Sequence, residues 1–521
     1  MESLRMPSSF NLKHHPLVTG TLLLTATGFI SRILGFIYRI FLSRTIGAEG
    51  LGIYQMIFPI YSICMAICSS GIETSISRFV AANRTHARSF LRIGLFISLS
   101  LAFCMTGLIF CFSDFFAVHI LLEPRCTSLL SIMAFAIPWT AFHNGICGYC
   151  YGTQKALIPG ISHLVELTAR MIVVFLIASY WLKQGQHLTV MLAVYGLLAG
   201  EMASAIFTAV SYMISSCSSY KPSISDFSYA TNRPKQTFWK DFSSTASSLM
   251  SMSIPLIANR LVLSGLQSAE AILIPNRLMA FGLSSSEAIS SYGTLTGMAL
   301  PFILFPSTIS TSLAIMLLPT VSQAQAEGKH SHIRLTTEHS ISFSLIIGIL
   351  FTGIFLIFGQ DLGNIVFHNQ AAGIYITILA WLCPFLYLGT TLGSILNGLG
   401  KTGITFFNHV IAQIVILGFV IFAVPQFGIM AYLWGNLAAE LLLTFLHILA
   451  LKKEIAFSFS PLDTLLKPIL YSILAFGILL SIDIFLSSIT FLNNPWILLI
   501  IRGSLYTVSY LFFLFLFGKR Q

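Results

Sequence analysis

Runs of about twenty apolar residues recur from end to end of this chain, and no other feature restricts its fold as much. A helix needs roughly 20 such residues to cross a bilayer core. Inside that core every backbone N–H and C=O must find a partner within the protein, which leaves helices or closed barrels. The run "HSISFSLIIGILFTGIFLIFG", 339–359, carries no Asp, Glu, Lys or Arg and no strand-like alternation, so it reads as a helix. Hydropathy places spans at 17–43, 51–77, 90–113, 127–150, 157–180, 188–216, 243–268, 289–322, 339–359, 373–397, 404–424, 428–451, 465–488 and 496–517, which makes fourteen. Charged residues form only 9% of the chain, against about 25% in soluble domains, and that excludes a soluble multidomain enzyme. The first run is too long for a signal-peptide core and has no small-residue cleavage site behind it, so it is read as a retained anchor.

Sidedness follows from the 28 Lys and Arg, because cytoplasmic loops carry the excess of positive charge. With the N-terminus placed in the cytoplasm, Arg44, Arg125, Lys183 and Arg277 fall outside. Arg32, Arg39, Arg170, Arg260 and Arg502 lie within apolar segments, and all the others fall inside. Both termini are therefore expected on the cytoplasmic side of the cell membrane. The same bias explains the net charge of +10 without a nucleic-acid partner.

Two stretches match without a gap, "GTQKALIPGISH" from Gly152 to His163 and "GLGKTGITFFNH" from Gly398 to His409. The identities are Pro138/Pro384, Gly152/Gly398, Lys155/Lys401, Ile158/Ile404 and His163/His409, all at an offset of 246. Chance similarity among membrane helices is the alternative to a true repeat. The longest polar interruption, Ser218 to Asp241, lies between the two copies. The expected fold is an all-α integral membrane protein of about fourteen transmembrane helices, in two six-helix lobes with pseudo-two-fold symmetry plus two C-terminal helices. Its parts would be an N-terminal lobe 1–217, a cytoplasmic linker 218–241, a C-terminal lobe 242–453, and 454–521 with the last two helices. Parallel repeats of this kind are a common transporter plan, with the substrate site between the halves.

Charges inside the apolar runs are the candidate site. Arg32 and Arg39 stand two helical turns apart and share one face. An arginine at the bilayer centre costs about 2.5–3.5 kcal/mol on insertion scales, so that face must meet water or acids. Arg260 occupies the first helix of the second half. Arginines converging on a cavity would hold a phosphate or pyrophosphate through paired hydrogen bonds; the alternative is structural pairing with Glu73 or Glu201. Glu440 is a further candidate coupling or packing acid. Glu166 and Arg170 are spaced to satisfy each other, Asp483 and Arg502 to pair or snorkel. His163 and His409 read as capping or packing residues. Prolines within spans, Pro59, Pro138, Pro301, Pro306 and Pro384, permit kinks. The Cys147–Cys150 pair has no second pair of ligands nearby, and no P-loop, H-E-x-x-H or carboxylate pair stands anywhere in the chain. Neither an enzyme nor a bound cofactor or metal is expected.

Two blocks carry a family resemblance. "GTLLLTATGFISRILGFIYRIFLSRTIGAEGLGIYQMIFPIYSI", Gly20–Ile63, resembles the opening of the stage V sporulation protein B family of polysaccharide-biosynthesis transporters. "SYGTLTGMALPFILFPSTISTSLAIMLLPTVSQAQAEG", Ser291–Gly328, resembles that family's eighth helix. The resemblance implies membership of the superfamily of multidrug extruders, oligosaccharidyl-lipid flippases and the lipid II flippase. It further implies flipping of an undecaprenyl-pyrophosphate-linked sugar to the outer leaflet, in cell-wall or spore-cortex synthesis. Its implied partners are the polyprenyl-linked sugar lipid, the membrane and cell-wall synthesis enzymes. Arg32 matches the first arginine of the "SR-x-LGF" pattern of the lipid II flippase. Tyr38 stands where that pattern has its second arginine, with Arg39 one step on, and Tyr292-Gly293-Thr294-Leu295 replaces its "Y-x-D-R". A cation-coupled multidrug exporter and a non-transporting scaffold for wall synthesis are the rival readings.

Overall fold

The computed structural model describes residues 16–83, 86–219, 235–457, 460–486 and 494–517. Most of the linker expected at 218–241 lies outside them, as do Arg5, Lys13, Arg84, Lys221, Arg233, Lys519 and Arg520. The described residues contain helices and no strand. In chain order the rods are α1 (Pro16–Met56), α2 (58–82), α3 (Ala87–Cys111), α4 (Cys126–Gly152), α5 (Leu157–Lys183), α6 (Met191–Ser219) and α7 (Lys235–Ala280). They continue as α8 (Ser285–Leu304 and Ser307–Ala326), α9 (His330–Phe367), α10 (Gln370–Gly398), α11 (Thr402–Phe427), α12 (Ile429–Glu454), α13 (Leu462–Asp483) and α14 (Pro495–Phe517).

Twelve of the helices are long and apolar enough to cross a bilayer, or thirteen with the bent α8 counted as one span. The difference from the fourteen expected arises at the start, where Ala26–Ala82 forms one apolar run of 57 residues. At 1.5 Å per residue that run would extend about 85 Å, nearly three hydrocarbon thicknesses. Gly47 breaks it, at φ 70° and ψ −177°, a conformation that only glycine adopts without strain.

The chain divides into two compact units, one of residues up to Gly35 with Ile57–Ser268, the other of Phe36–Met56 with Ala269–Gln521. α1 and α7 each contribute to both. In the first unit Ile72, Ile76 and Val80 of α2 pack with Ala87 and Ile93 of α3 and Leu249 of α7. α5 and α6 approach closely because Gly196 and Gly200 leave room for Val174, Arg170 and the Glu166 carbonyl. In the second unit α13 and α14 fold back onto α9. The Tyr510 hydroxyl donates to Ile346 O at 3.0 Å, and Asp483 and Arg502 pair at 2.6 Å.

α8 begins at a capping box: Ser284 Oγ accepts from Glu287 N, and the Glu287 carboxylate accepts from Ser284 N at 2.9 Å. Its middle is irregular. A π turn covers Thr294–Ala299, and the two halves meet at 57° across Phe305 and Pro306. Proline brings no N–H to the ladder, and beside the bend the fully buried Tyr387 of α10 donates to Ile303 O at 3.1 Å. Where α1 crosses α8 the contact is bare backbone. A Cβ on Gly293 would stand 2.0 Å from Ala48 O, and one on Gly52 would stand 2.2 Å from Ile289 O. Backbone atoms cannot step aside, so Gly293→Ala is expected to cost about 3 kcal/mol, the upper part of the overpacking range. Gly418→Ala, where nothing lies within 4 Å, is the control. Equal melting temperatures for the two purified variants would remove the crossing as a determinant of stability.

Candidate functional site

A polar cleft lies wholly within the first unit, a cavity of about 520 Å³ walled by α2, α4 and α7. α2 presents Tyr61, Ser62, Ser69, Ser70 and Glu73; α4 presents Thr140 and Asn144; α7 presents Arg260, Ser264 and Gln267. The wall on α2 is shaped by a π turn over Ala66–Ser70. The extra residue in that turn shifts the helix face and spoils one ladder hydrogen bond. Ser98 of α3 donates to Cys68 O there, and Asn144 Nδ2 donates to Ser69 Oγ at 2.7 Å. α7 is held against α2 by serines: Ser268 Oγ donates to Pro59 O at 3.0 Å, and Ser253 Oγ donates to Ser75 Oγ at 2.8 Å. Gly71 permits the approach, since a Cβ on it would meet Ile257 at 2.5 Å.

Two charged side chains line the cleft, Arg260 and Glu73. The remaining polar wall is hydroxyl and amide. Such a lining offers one guanidinium fork for an anionic oxygen and, from Glu73, an acceptor for hydroxyl groups, with neutral donors and acceptors between them.

Behind the cleft stands a buried charge cluster. The Tyr61 hydroxyl lies 2.7 Å from Thr140 Oγ1 and donates to Glu201 Oε1 at 3.3 Å. Glu201 is 3.9 Å from Arg170, which pairs at 2.5 Å with Glu166 one turn before it on α5. His163 Nδ1 faces the other Glu166 oxygen at 3.5 Å. The Glu166–Arg170 pair expected from spacing is therefore present, and it gains a second acid from α6.

The three expected cavity arginines divide. Arg260 lines the cleft. Arg32 sits exposed on α1, within the first unit. Arg39 belongs to the second unit, where Nη1 donates to Thr296 O at 3.1 Å, inside the π turn of α8. Of the acids, Glu73 shares the cleft with Arg260, Glu201 joins the cluster behind it, and Glu440 stands in the second unit on α12. His163 and His409 cap no helix, since α5 and α11 begin at Leu157 and Thr402; each meets another imidazole instead. Sequence reading missed Tyr61, Thr140, Asn144 and Gln267 as cleft residues. For α2 a partial signal was there: Ser62, Ser69, Ser70 and Glu73 fall on one side of the helix. It also missed Glu270, which accepts from the Tyr432 hydroxyl at 2.7 Å and from Gln413.

A multi-pass helical bundle with a polar cleft inside the apolar region defines a membrane-transporter fold, and solved structures share it. The lipid II flippase MurJ in an inward closed conformation is similar with TM-score 0.69 and 15% identity, over 96% of this chain and 99% of that one. An inward-facing MATE family multidrug transporter is similar with TM-score 0.62 and 12% identity, over 84% and 94%. The chain belongs to the polysaccharide biosynthesis protein family, whose model matches residues 17–325; a MatE model matches 274–423. Stage V sporulation protein B of Bacillus subtilis (strain 168) is 27% identical over 449 residues, 84% of each chain. The lipid II flippase MurJ of the same organism is 24% identical over 184 residues, 32% of each.

Proposed function

We propose that the protein moves a polyprenyl-diphosphate-linked sugar across the cytoplasmic membrane, from the inner to the outer leaflet, by alternating access. The observation that carries this reading is Arg260, a guanidinium set among hydroxyls and amides in a cleft within the apolar bundle. A diphosphate justifies the arginine, and the neutral wall and Glu73 suit sugar hydroxyls. The family and the flippase among the relatives support the same reading. Arg32 and Arg39 are proposed helpers; to reach a headgroup Arg39 would first release Thr296 O. Two lobes at 1–217 and 242–453, an appended pair of helices in 454–521, a cytoplasmic linker and cytoplasmic termini complete the proposal, with cell-wall synthesis enzymes using the product outside.

Glu73 on the same wall favours a second reading, the export of an organic cation. Purified protein in liposomes decides between them. A fluorescent undecaprenyl-diphosphate sugar should become accessible to an impermeant reagent on the far side, while a fluorescent organic cation should stay where it was loaded. The opposite pattern would make the protein a drug exporter and Glu73 its binding group.

A further inference from the structure

Arg260 and Glu73 line one cleft and do not pair. Among the described residues neither takes part in a hydrogen bond or an ion pair. His163 of α5 is the basic group that faces Glu73, and its Nδ1 is turned to Glu166 at 3.5 Å. Charged side chains inside a membrane protein ordinarily find one another or mark a substrate path. Here a guanidinium and a carboxylate share a wall and stay apart.

The packing of the helices sets their separation. Ser268 of α7 meets Pro59 of α2, and Ser253 meets Ser75. The two helices are therefore antiparallel, and Arg260 stands level with the π turn Ala66–Ser70. From there Glu73 is about six residues along α2, about 9 Å at 1.5 Å per residue. α4 runs in the direction of α2: Asn144 meets Ser69, and a Cβ on Gly148 would stand 2.6 Å from Glu73 O. Along the cleft the polar groups thus follow in the order Tyr61 with Thr140, then Arg260, then Ser69 with Asn144, then Glu73.

A plain anion fits this order poorly. Held at Arg260, a diphosphate meets the like charge of Glu73 across a neutral gap, and a like charge in a binding site rejects ligands that cannot answer it. A sugar hydroxyl donates to the carboxylate and leaves its charge uncompensated. A simple organic cation has the converse fault, since it leaves Arg260 without an anion. We infer that the headgroup taken by this cleft is zwitterionic, with its diphosphate at Arg260 and a free amine of the adjoining sugar at Glu73. The inference rests on the carrier function proposed above and narrows its substrate. The guanidinium fork takes two phosphate oxygens. A protonated amine brings three donors, enough for both oxygens of Glu73 and one neighbouring acceptor. Ser69 and Asn144 then lie against the ring between the two charges.

The test compares two lipids that differ by one group, undecaprenyl-diphosphate glucosamine and undecaprenyl-diphosphate glucose. Each competes with the fluorescent undecaprenyl-diphosphate sugar for the purified full chain, at about pH 6.5, below the range of an α-amino group. The amino lipid should displace the probe from wild type at a concentration at least about tenfold lower, the factor that a hydrogen bond to a charged group supplies. Glu73→Gln should bind the two lipids equally. Arg260→Ala should weaken both and leave their ratio unchanged. Phosphatidylethanolamine also joins a phosphate to an ammonium, and it should not displace the probe.

Equal displacement by the two lipids in wild type, a comparison that needs no variant, overturns the inference and leaves the carrier function standing. So does a preference that survives Glu73→Gln. Displacement by phosphatidylethanolamine would hand the zwitterion to a phospholipid and overturn the amino-sugar assignment. Wild-type vesicles that flip neither undecaprenyl lipid overturn the carrier function, and the inference with it.

Discussion

Arg170→Ala is expected to destabilise the protein by about 3–5 kcal/mol, the usual cost of removing one partner from a buried ion pair. The guanidinium lies between Glu166 at 2.5 Å and Glu201 at 3.9 Å, all three side chains largely buried. Without it two carboxylates from α5 and α6 face each other inside the bundle with a single tyrosine hydroxyl and His163 to help. Gly196 and Gly200 let those helices approach closely at this level. The loss should appear as a lower melting temperature in detergent and a smaller folded fraction on size exclusion. Arg170→Met combined with Glu166→Gln and Glu201→Gln should recover most of it, because the penalty belongs to the orphaned acids more than to the lost bond. A single variant as stable as wild type would show the cluster to be wetter than its burial indicates.

Arg260→Ala is expected to weaken binding of a polyprenyl diphosphate by roughly thirtyfold, about 2 kcal/mol, the scale of a hydrogen bond to a charged group. Lysine at this position restores the charge but not the planar fork, so recovery should be partial. The fold should not suffer, since Arg260 lines open space and its helix is fastened to α2 by Ser253 and Ser268. Titration of the purified variants with the diphosphate checks both statements. An unchanged dissociation constant for Arg260→Ala would move the anion site elsewhere, with Arg32 next in line.

Much of this was legible in the sequence, for identifiable reasons. Twelve or thirteen of the fourteen expected spans are matched by helices long and apolar enough to cross a bilayer, because bilayer thickness imposes a length on an apolar run, whatever its neighbours. The gap between the expected spans 17–43 and 51–77 contains Gly47, where the helix breaks, although the flanking residues still form one apolar run, Ala26–Ala82. Glu166–Arg170 and Asp483–Arg502 were readable because their spacing or their adjoining helices limit the choice of partner. Arg39 was not: its partner is the Thr296 carbonyl, released by a π turn, and π turns leave no mark in a pattern of apolar residues. The histidine pairs were half visible. His163 and His409 stand out in the repeat, whereas His143 and His447 break it, and a repeat search discards what breaks it.

The bend in α8 has a mechanical meaning. An unbroken helix is a stiff shaft and carries torque along its whole length. α8 is interrupted at Phe305 and Pro306, and α10, which runs beside it, is interrupted at almost the same level by the 3₁₀ turn Ala380–Leu382. The first half of α8 packs on the first half of α10, and Ser307–Ala326 on Cys383–Gly398. Two jointed shafts laid joint to joint form a crease: twist applied at one end stops there, and folding along the line is the compliant motion.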